Sequence, residues 1–243
     1  MWCLICLLAL IPFGTANDQN TPGQHIDVVL GDSVKFPGTV NCSSEKFKLI
    51  HQRKDVRPLT VATFVNGHWE PEEKHRDRFQ SSPSDIILTR VNYNDNGAYE
   101  FTCGGEVVLI ISLQVSIISN NNISGSEGGT VKLPCYLLTA GQTVESVWWE
   151  MNNKPVIKLN TSNGNITYGM GFDGRVSLPS DWKSTGDCSL TLERVQPEDR
   201  GDYFCFVQKK IKERGTPAVT RLTLHPNPIT TSTPPTASVS RSF

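Results

Sequence analysis

No uninterrupted run of about 18 apolar residues occurs in this sequence, so it encodes no helical membrane span. It also has almost no net charge: 23 Lys and Arg against 24 Asp and Glu leave −1, which removes the electrostatic argument for a nucleic-acid partner. The five histidines, at 25, 51, 68, 75 and 225, have no metal-ligand spacing. No cysteine pair has C-x-x-C spacing in a suitable context, so no metal is expected. G-x-S-x-G, H-E-x-x-H and a phosphate loop are all missing, which argues against an enzyme, a cofactor or a small-molecule substrate. The charge run EPEEKHRDR at 70–78 mixes signs and reads as a solvated loop face. Its adjacent Glu72 and Glu73 would point to opposite faces of a strand, so they form no acid–base pair.

What is present suits globular domains: 37% of the 243 residues are hydrophobic, and the length favours two domains over one. The first residues, MWCLICLLALIPFGTAN, hold an apolar run from Trp2 to Phe13 followed by Gly14-Thr15-Ala16. Small residues at the −3 and −1 positions predict a cleaved signal over 1–16, although no basic residue precedes the run. Removing it leaves Cys42, Cys103, Cys135, Cys188 and Cys205 in an oxidising compartment, an odd number. Sequons at Asn41, Asn122, Asn160 and Asn165 fit the same secretory route. Residues 226–243 are dominated by Pro, Thr and Ser and predict a disordered, O-glycosylated stalk. The expected setting is extracellular: secreted as the chain stands, or at the cell surface if an anchor follows.

Internal similarity organises the rest. An offset of 97 aligns Gly31 with Gly128, Val34 with Val131, Asn66-Gly67 with Asn163-Gly164, and Arg78 with Arg175. The offset then becomes 104, aligning Leu88 with Leu192, Asp95 with Asp199, Gly97 with Gly201 and Tyr99 with Tyr203. Two tandem copies, over 26–116 and 121–225, consist of short period-two segments between turns. This predicts an all-β fold, a pair of β-sandwiches, with a jelly roll or fibronectin-like sandwich as the alternative.

The second copy resembles the V-set domains of the immunoglobulin superfamily. Its Cys135, the pair Trp148-Trp149 and the run Asp199-x-Gly201-x-Tyr203-x-Cys205 match the strand B cysteine, the strand C tryptophan and the strand F motif. The resemblance implies a Cys135–Cys205 bridge packed on Trp149, and a Tyr203 hydroxyl that caps the turn before strand F, with Tyr99 as its counterpart. It also implies the ion pairs Arg175–Asp199 and Arg78–Asp95, and an extra hairpin at each Asn-Gly. The stretch from Gly174 to Cys205 looks most like butyrophilin-like and inhibitory immune-receptor ectodomains.

The first copy departs from that pattern. The alignment puts Gly38 and Phe101 where the bridge should be, while the cysteines stand at 42 and 103. Both displacements are even, so the side chains keep their inward face. The resemblance then implies a relocated Cys42–Cys103 bridge; the alternative is two free thiols. Shifts of about 13 and 7 Å leave a mismatch near 6 Å, which a bulge at Pro37-Gly38-Thr39 would have to absorb. Gln52 stands 97 residues before Trp149, so the first core is expected to lack its tryptophan as well.

With chemistry absent, recognition remains. The resemblance implies an immune receptor or ligand; adhesion of the lymphocyte-activation type and a soluble decoy are the other readings. With Tyr203, Cys205 and Trp149 inward, Trp148, Phe204 and Phe206 point outward on one sheet face, the face V-set domains use for pairing. The expected partner is another V-type domain, self or non-self. The alternatives are a glycan or strand covering these rings, or an exchange of roles between Trp148 and Trp149. Lys209, Lys210, Lys212 and Arg214 are expected in the loop between strands F and G, either as a charged recognition loop for an acidic or sialylated partner or as a solvated hairpin tip. Cys188 shares parity with Leu190 and Leu192 and is expected in the core, with an intermolecular bridge as the alternative.

Overall fold

The computed structural model describes residues 23–225, apart from 38–41, 43–45, 55, 83–84 and 119. The expected leader, the stalk, Asn41 and the proposed bulge after Pro37 therefore lie outside the described residues. The first half is built from β1 (Gly23–Val29), β2 (Val34–Pro37), β3 (Phe47–Gln52), β4 (Leu59–Val65), β5 (His68–Pro71), β6 (Phe79–Ser82), β7 (Asp85–Leu88), β8 (Gly97–Cys103) and β9 (Glu106–Ser116). The second half repeats the plan with β10 (Asn122–Ser126), β11 (Val131–Leu133), β12 (Ser146–Met151), β13 (Lys154–Asn160), β14 (Ile166–Tyr168), β15 (Val176–Ser177), β16 (Leu190–Leu192), β17 (Gly201–Gln208), β18 (Lys212–Arg214) and β19 (Thr220–His225). One short helix, α1 (Trp182–Thr185), joins β15 to β16.

Each half is a two-sheet sandwich. The large sheets run β1-β9-β8-β3-β4-β5 and β10-β19-β17-β12-β13-β14, with β18 added to β17; the small ones are β2-β7-β6 and β11-β16-β15. In each half the first strand pairs in parallel with the last and the remaining pairs are antiparallel. The fold is thus two tandem immunoglobulin-like β-sandwiches. Alternation sets the faces: along β3, Phe47, Leu49 and His51 are buried, and along β17, Tyr203, Cys205 and Val207 are. Two separate cores result, one around Trp149 and one around Phe101 and Trp69.

The second core has the expected centre. Cys135 and Cys205 are bonded with their Cα atoms 6.3 Å apart. Trp149 is buried beside them and donates its indole N–H to the Cys188 carbonyl at 3.0 Å. Cys188 is free and fully enclosed, and burial, helped by the Asp187 charge, pushes its thiol pKa up to about 12.

The first core is built differently from the expectation. Cys42 is bonded to Cys103 with Cα atoms 5.7 Å apart, within the disulfide range. Gln52 is not the counterpart of Trp149. Trp149 pairs with Cys205 across β12–β17, and it is Leu49 that pairs with Phe101 across β3–β8. Both residues immediately precede a bulge, which fixes the equivalence. On this strand the offset is 100, because the second copy carries three more residues between its second and third strands. The missing ring comes instead from β5: Trp69 is fully buried, 4.8 Å from Phe47 and edge-on to Phe64 and Phe101 at 5.4 and 5.8 Å. Asn66 and Gly67, at φ of 52° and 84°, form the tight β4–β5 turn that swings it inward.

The sandwiches meet at the short 3-10 turn Tyr93–Asp95. The Asn94 amide oxygen accepts the backbone N–H groups of Thr139 and Ala140 at 2.7 and 3.0 Å. Its NH₂ group donates to the Thr139 hydroxyl at 3.1 Å and the Lys183 carbonyl at 3.3 Å. Tyr93 lies against Tyr136, with ring centroids 5.9 Å apart. Asn94 and Thr139 are both buried, so truncating the amide strands two N–H groups without partners. We expect Asn94→Ala to weaken this junction by about 2 kcal/mol. Calorimetry should show the two sandwiches melting further apart than in the native chain; an unchanged profile would mean the junction carries no stability.

Candidate recognition surface

Both sandwiches hold the ion pair and tyrosine cap at the end away from their long hairpins. Arg175 meets Asp199 with two hydrogen bonds, at 2.8 and 3.0 Å, both residues being buried, and that carboxylate raises the Arg175 pKa. Arg78 meets Asp95 in the same way in the first sandwich. The hydroxyls of Tyr203 and Tyr99 donate to the carbonyls of Asp199 and Asp95 at 2.7 and 3.2 Å. Burial drives both phenol pKa values upward, so the tyrosines stay neutral donors. These groups brace the frame.

The outer face of β17, β12 and β13 is different. Trp148 lies opposite Phe206 on one side and Lys158 on the other, and Phe204 sits one alternate position along β17. Trp148 and Phe206 stack at 5.3 Å with 24° between their planes. The Trp148 indole N–H donates to Glu150 at 2.8 Å. Alternation does turn these rings outward, but they are not a bare patch. The Lys212 ammonium sits 3.8 Å from the Phe206 ring centre and 4.9 Å from that of Trp148. The Arg214 guanidinium lies 5.1 Å from Phe204 and 5.3 Å from Phe206. Lys158 covers Trp148 from the other side at 5.7 Å. Under this cover Phe206 is buried, which corrects its expected exposure, while Trp148 and Phe204 remain half-exposed.

The cations are also arranged otherwise than a loop of charges. Lys212 to Arg214 form strand β18, hydrogen-bonded along β17, so Lys212 and Arg214 project over the sheet instead of capping a loop. Lys209 shares parity with Cys205 and Val207; it is buried and its ammonium meets Glu213 at 2.7 Å. Lys209 is therefore a structural ion pair and not a recognition charge, an outcome its parity in the sequence could have shown. Lys210 is exposed at the hairpin tip beside Ile211.

Along the same face, a groove of about 680 Å³ opens over Ser146, between Trp148 and residues 142–145. Asn160 borders it, half-buried, its amide oxygen held by Ser162. Asn122 and Asn165 are exposed. In the first sandwich the corresponding face carries Lys48, Glu100 and Thr102. His51, which a constant 97-residue offset would put at the place of Trp148, does not belong to it: it is buried against Tyr99. Among the described residues no cluster of His, Cys, Asp or Glu could hold a metal ion, and no helix is long and apolar enough to cross a membrane.

Comparison with known proteins agrees with this architecture. The immunoglobulin V-set domain family matches residues 118–225. The polymeric immunoglobulin receptor of Oryctolagus cuniculus is 22% identical over 229 residues, 84% of this chain and 29% of that protein. Nectin-2 of Homo sapiens is 31% identical over 99 residues, 34% of this chain and 18% of that protein. The versican core protein of Homo sapiens is 29% identical over 127 residues, 46% of this chain, which spans only 4% of that protein. The V-set match thus accounts for the second sandwich, and the first sandwich repeats its strand plan.

Proposed function

We propose that this chain is a non-catalytic recognition ectodomain at the cell surface, an immune-type receptor or ligand that binds a protein partner through the outer face of β17, β12 and β13. The V-set match and a relative that is by name a receptor support a recognition role for the chain as a whole. The observation that carries the reading is the row Trp148, Phe206 and Phe204 on one sheet face, with Trp148 and Phe204 half-exposed and the cations Lys158, Lys212 and Arg214 lying over the rings. Half-exposed aromatics flanked by charge are the composition of interface centres, where few residues supply most of the binding energy. The first sandwich, with Lys48, Glu100 and Thr102 there, offers no equivalent, and the second is therefore the binding unit.

The test uses tetramers of the secreted chain against a cell-displayed panel of immunoglobulin-type ectodomains. Phe204→Glu should be secreted at the native level and lower staining of positive cells at least tenfold. Full staining by Phe204→Glu, with loss instead on Glu100→Arg in the first sandwich, would move the contact to the other half.

A further inference from the structure

Building on that reading, we infer that the face takes an acidic segment of a different protein and does not pair with a second copy of itself. The face carries a charge imbalance held in place by the rings. In the second sandwich the cations Lys132, Arg175, Lys209, Arg194 and Arg221 each meet a carboxylate, at 2.6 to 3.6 Å, whereas Lys154, Lys183, Arg200 and Lys210 are surface cations with no carboxylate recorded among the described residues. Lys158, Lys212 and Arg214 differ from both groups: among the described residues their recorded partners are the faces of Trp148, Phe204 and Phe206. All three are exposed, so their charges are presented outward from fixed stems. Against them the face holds two carboxylates among the described residues, both already engaged: Glu150 by the Trp148 indole and Asp202 by Arg221.

A ring beneath an ammonium positions the cation without neutralising it, since a quadrupole carries no net charge. A carboxylate arriving from outside then gains charge-assisted hydrogen bonds to groups that have little side-chain freedom left to lose. The groove continues the pattern. Lys158 and Lys183 stand on it with the amides of Gln142 and Gln208, and among the described residues Glu145 is the one acid that lines it. Its volume of about 680 Å³ admits several side chains of a protruding loop. Two cations around a hollow, with one N–H left on each of two amides that already donate to the Lys54 and Lys209 carbonyls, form a site complementary to Asp or Glu side chains.

The same arrangement opposes self-association. A two-fold contact sets a surface against its own copy. Through this face it would bring Lys158, Lys212 and Arg214 of one molecule toward the same three of the other, and like charges facing across an interface disfavour it. The aromatic row alone would not discriminate; the cations above it do.

The experiment measures binding of the whole secreted chain to two fluorescent peptides of equal length, one rich in Glu with a central Tyr and one with every Glu replaced by Gln. A sialylated glycan and heparin serve as further probes, and sedimentation velocity reports self-association. The Glu peptide should bind, and the Gln peptide at least tenfold more weakly. The triple variant Lys158→Gln, Lys212→Gln, Arg214→Gln should reduce Glu-peptide binding at least tenfold, while Lys132→Gln on the opposite sheet leaves it unchanged. The chain should sediment as a monomer. Equal binding of both peptides, binding of the glycan or heparin alone, or a dimer that dissociates on Lys212→Glu would each overturn the inference. If Phe204→Glu abolishes cell staining and the triple variant does not, the face is right and the acidic partner is wrong; if neither does, the face itself is wrong.

Discussion

Trp69→Ala should lower the stability of the first sandwich by about 3–5 kcal/mol, the range for emptying a buried aromatic site. The indole is fully enclosed and lies within 6 Å of three phenylalanine rings, Phe47, Phe64 and Phe101. No neighbour can collapse into the space without leaving its own strand, because Phe47 and Phe101 are anchored on paired strands and Phe64 on the hairpin Trp69 itself closes. The contrast is Gln52, the residue a constant 97-residue offset would make the core landmark. Its side chain is only half-buried and donates to Glu100 at 2.8 Å, so Gln52→Ala should change stability by under about 1 kcal/mol. Urea titrations followed by near-ultraviolet circular dichroism resolve the difference. Equal midpoint shifts for the two variants would refute the assignment of Trp69 as the core ring.

The first sandwich should also lose about 3 kcal/mol on acidification from pH 7 toward pH 4, through His51 alone. The imidazole is buried, stacked on Tyr99 at 4.3 Å, with Nε2 3.2 Å from the Asn96 carbonyl. Burial lowers its pKa from 6.5 to about 4; the Asn96 carbonyl opposes the shift, and the charges of Arg53, His75 and Arg78 add to it. Above pH 6.5 the ring is neutral folded or unfolded and stability is independent of it. Below 6.5 the unfolded chain takes up a proton that the folded one refuses, so stability falls with pH until about 4, where the folded ring charges too. Gly97 packs its backbone against the site: a Cβ there would lie 2.6 Å from the Gln52 carbonyl and 2.9 Å from His51 Nε2, so any larger residue would displace the ring. Thermal melts at intervals between pH 7 and 4.5 measure the slope. His51→Gln should flatten it in that window, and an unchanged slope in the variant would assign the acid sensitivity elsewhere.

The parts of this fold legible in the sequence are those enforced by local motifs. Asp199-x-Gly201-x-Tyr203-x-Cys205 encodes a capped turn and an inward alternation within seven residues, so the bottom of each sandwich and the two faces of β17 follow from it. Trp69 was not legible, because its role depends on which strand pairs with which: β5 reaches the core only by hydrogen-bonding to β4. The equivalence of Leu49 with Trp149 was hidden by three residues of loop, which carry no pattern of their own. Lys209 stood in plain alternation with Cys205 and Val207, but a run of basic residues reads as a surface loop until Glu213 is seen to return opposite it. The cations over the aromatic row belong to the same class: only the β17–β18 pairing reveals that Lys212 and Arg214 cover Phe206. Asn94 gave no sign at all, since the three residues its side-chain amide bonds, Thr139, Ala140 and Lys183, lie 45 to 89 residues away.

That junction has a consequence for ancestry. The two halves of the chain are copies, yet the hook and the eye have been parcelled out between them. Adding 104 to Asn94 lands on Glu198, an exposed carboxylate that can accept hydrogen bonds but, when ionised, cannot donate to a carbonyl as Asn94 does. The siblings are therefore no longer interchangeable: transposed, the second copy would present Glu198 where the amide is required. Positions 94 and 139 thus help to fix their order, and a duplication repeated from this chain would set Glu198 where the joint uses an amide.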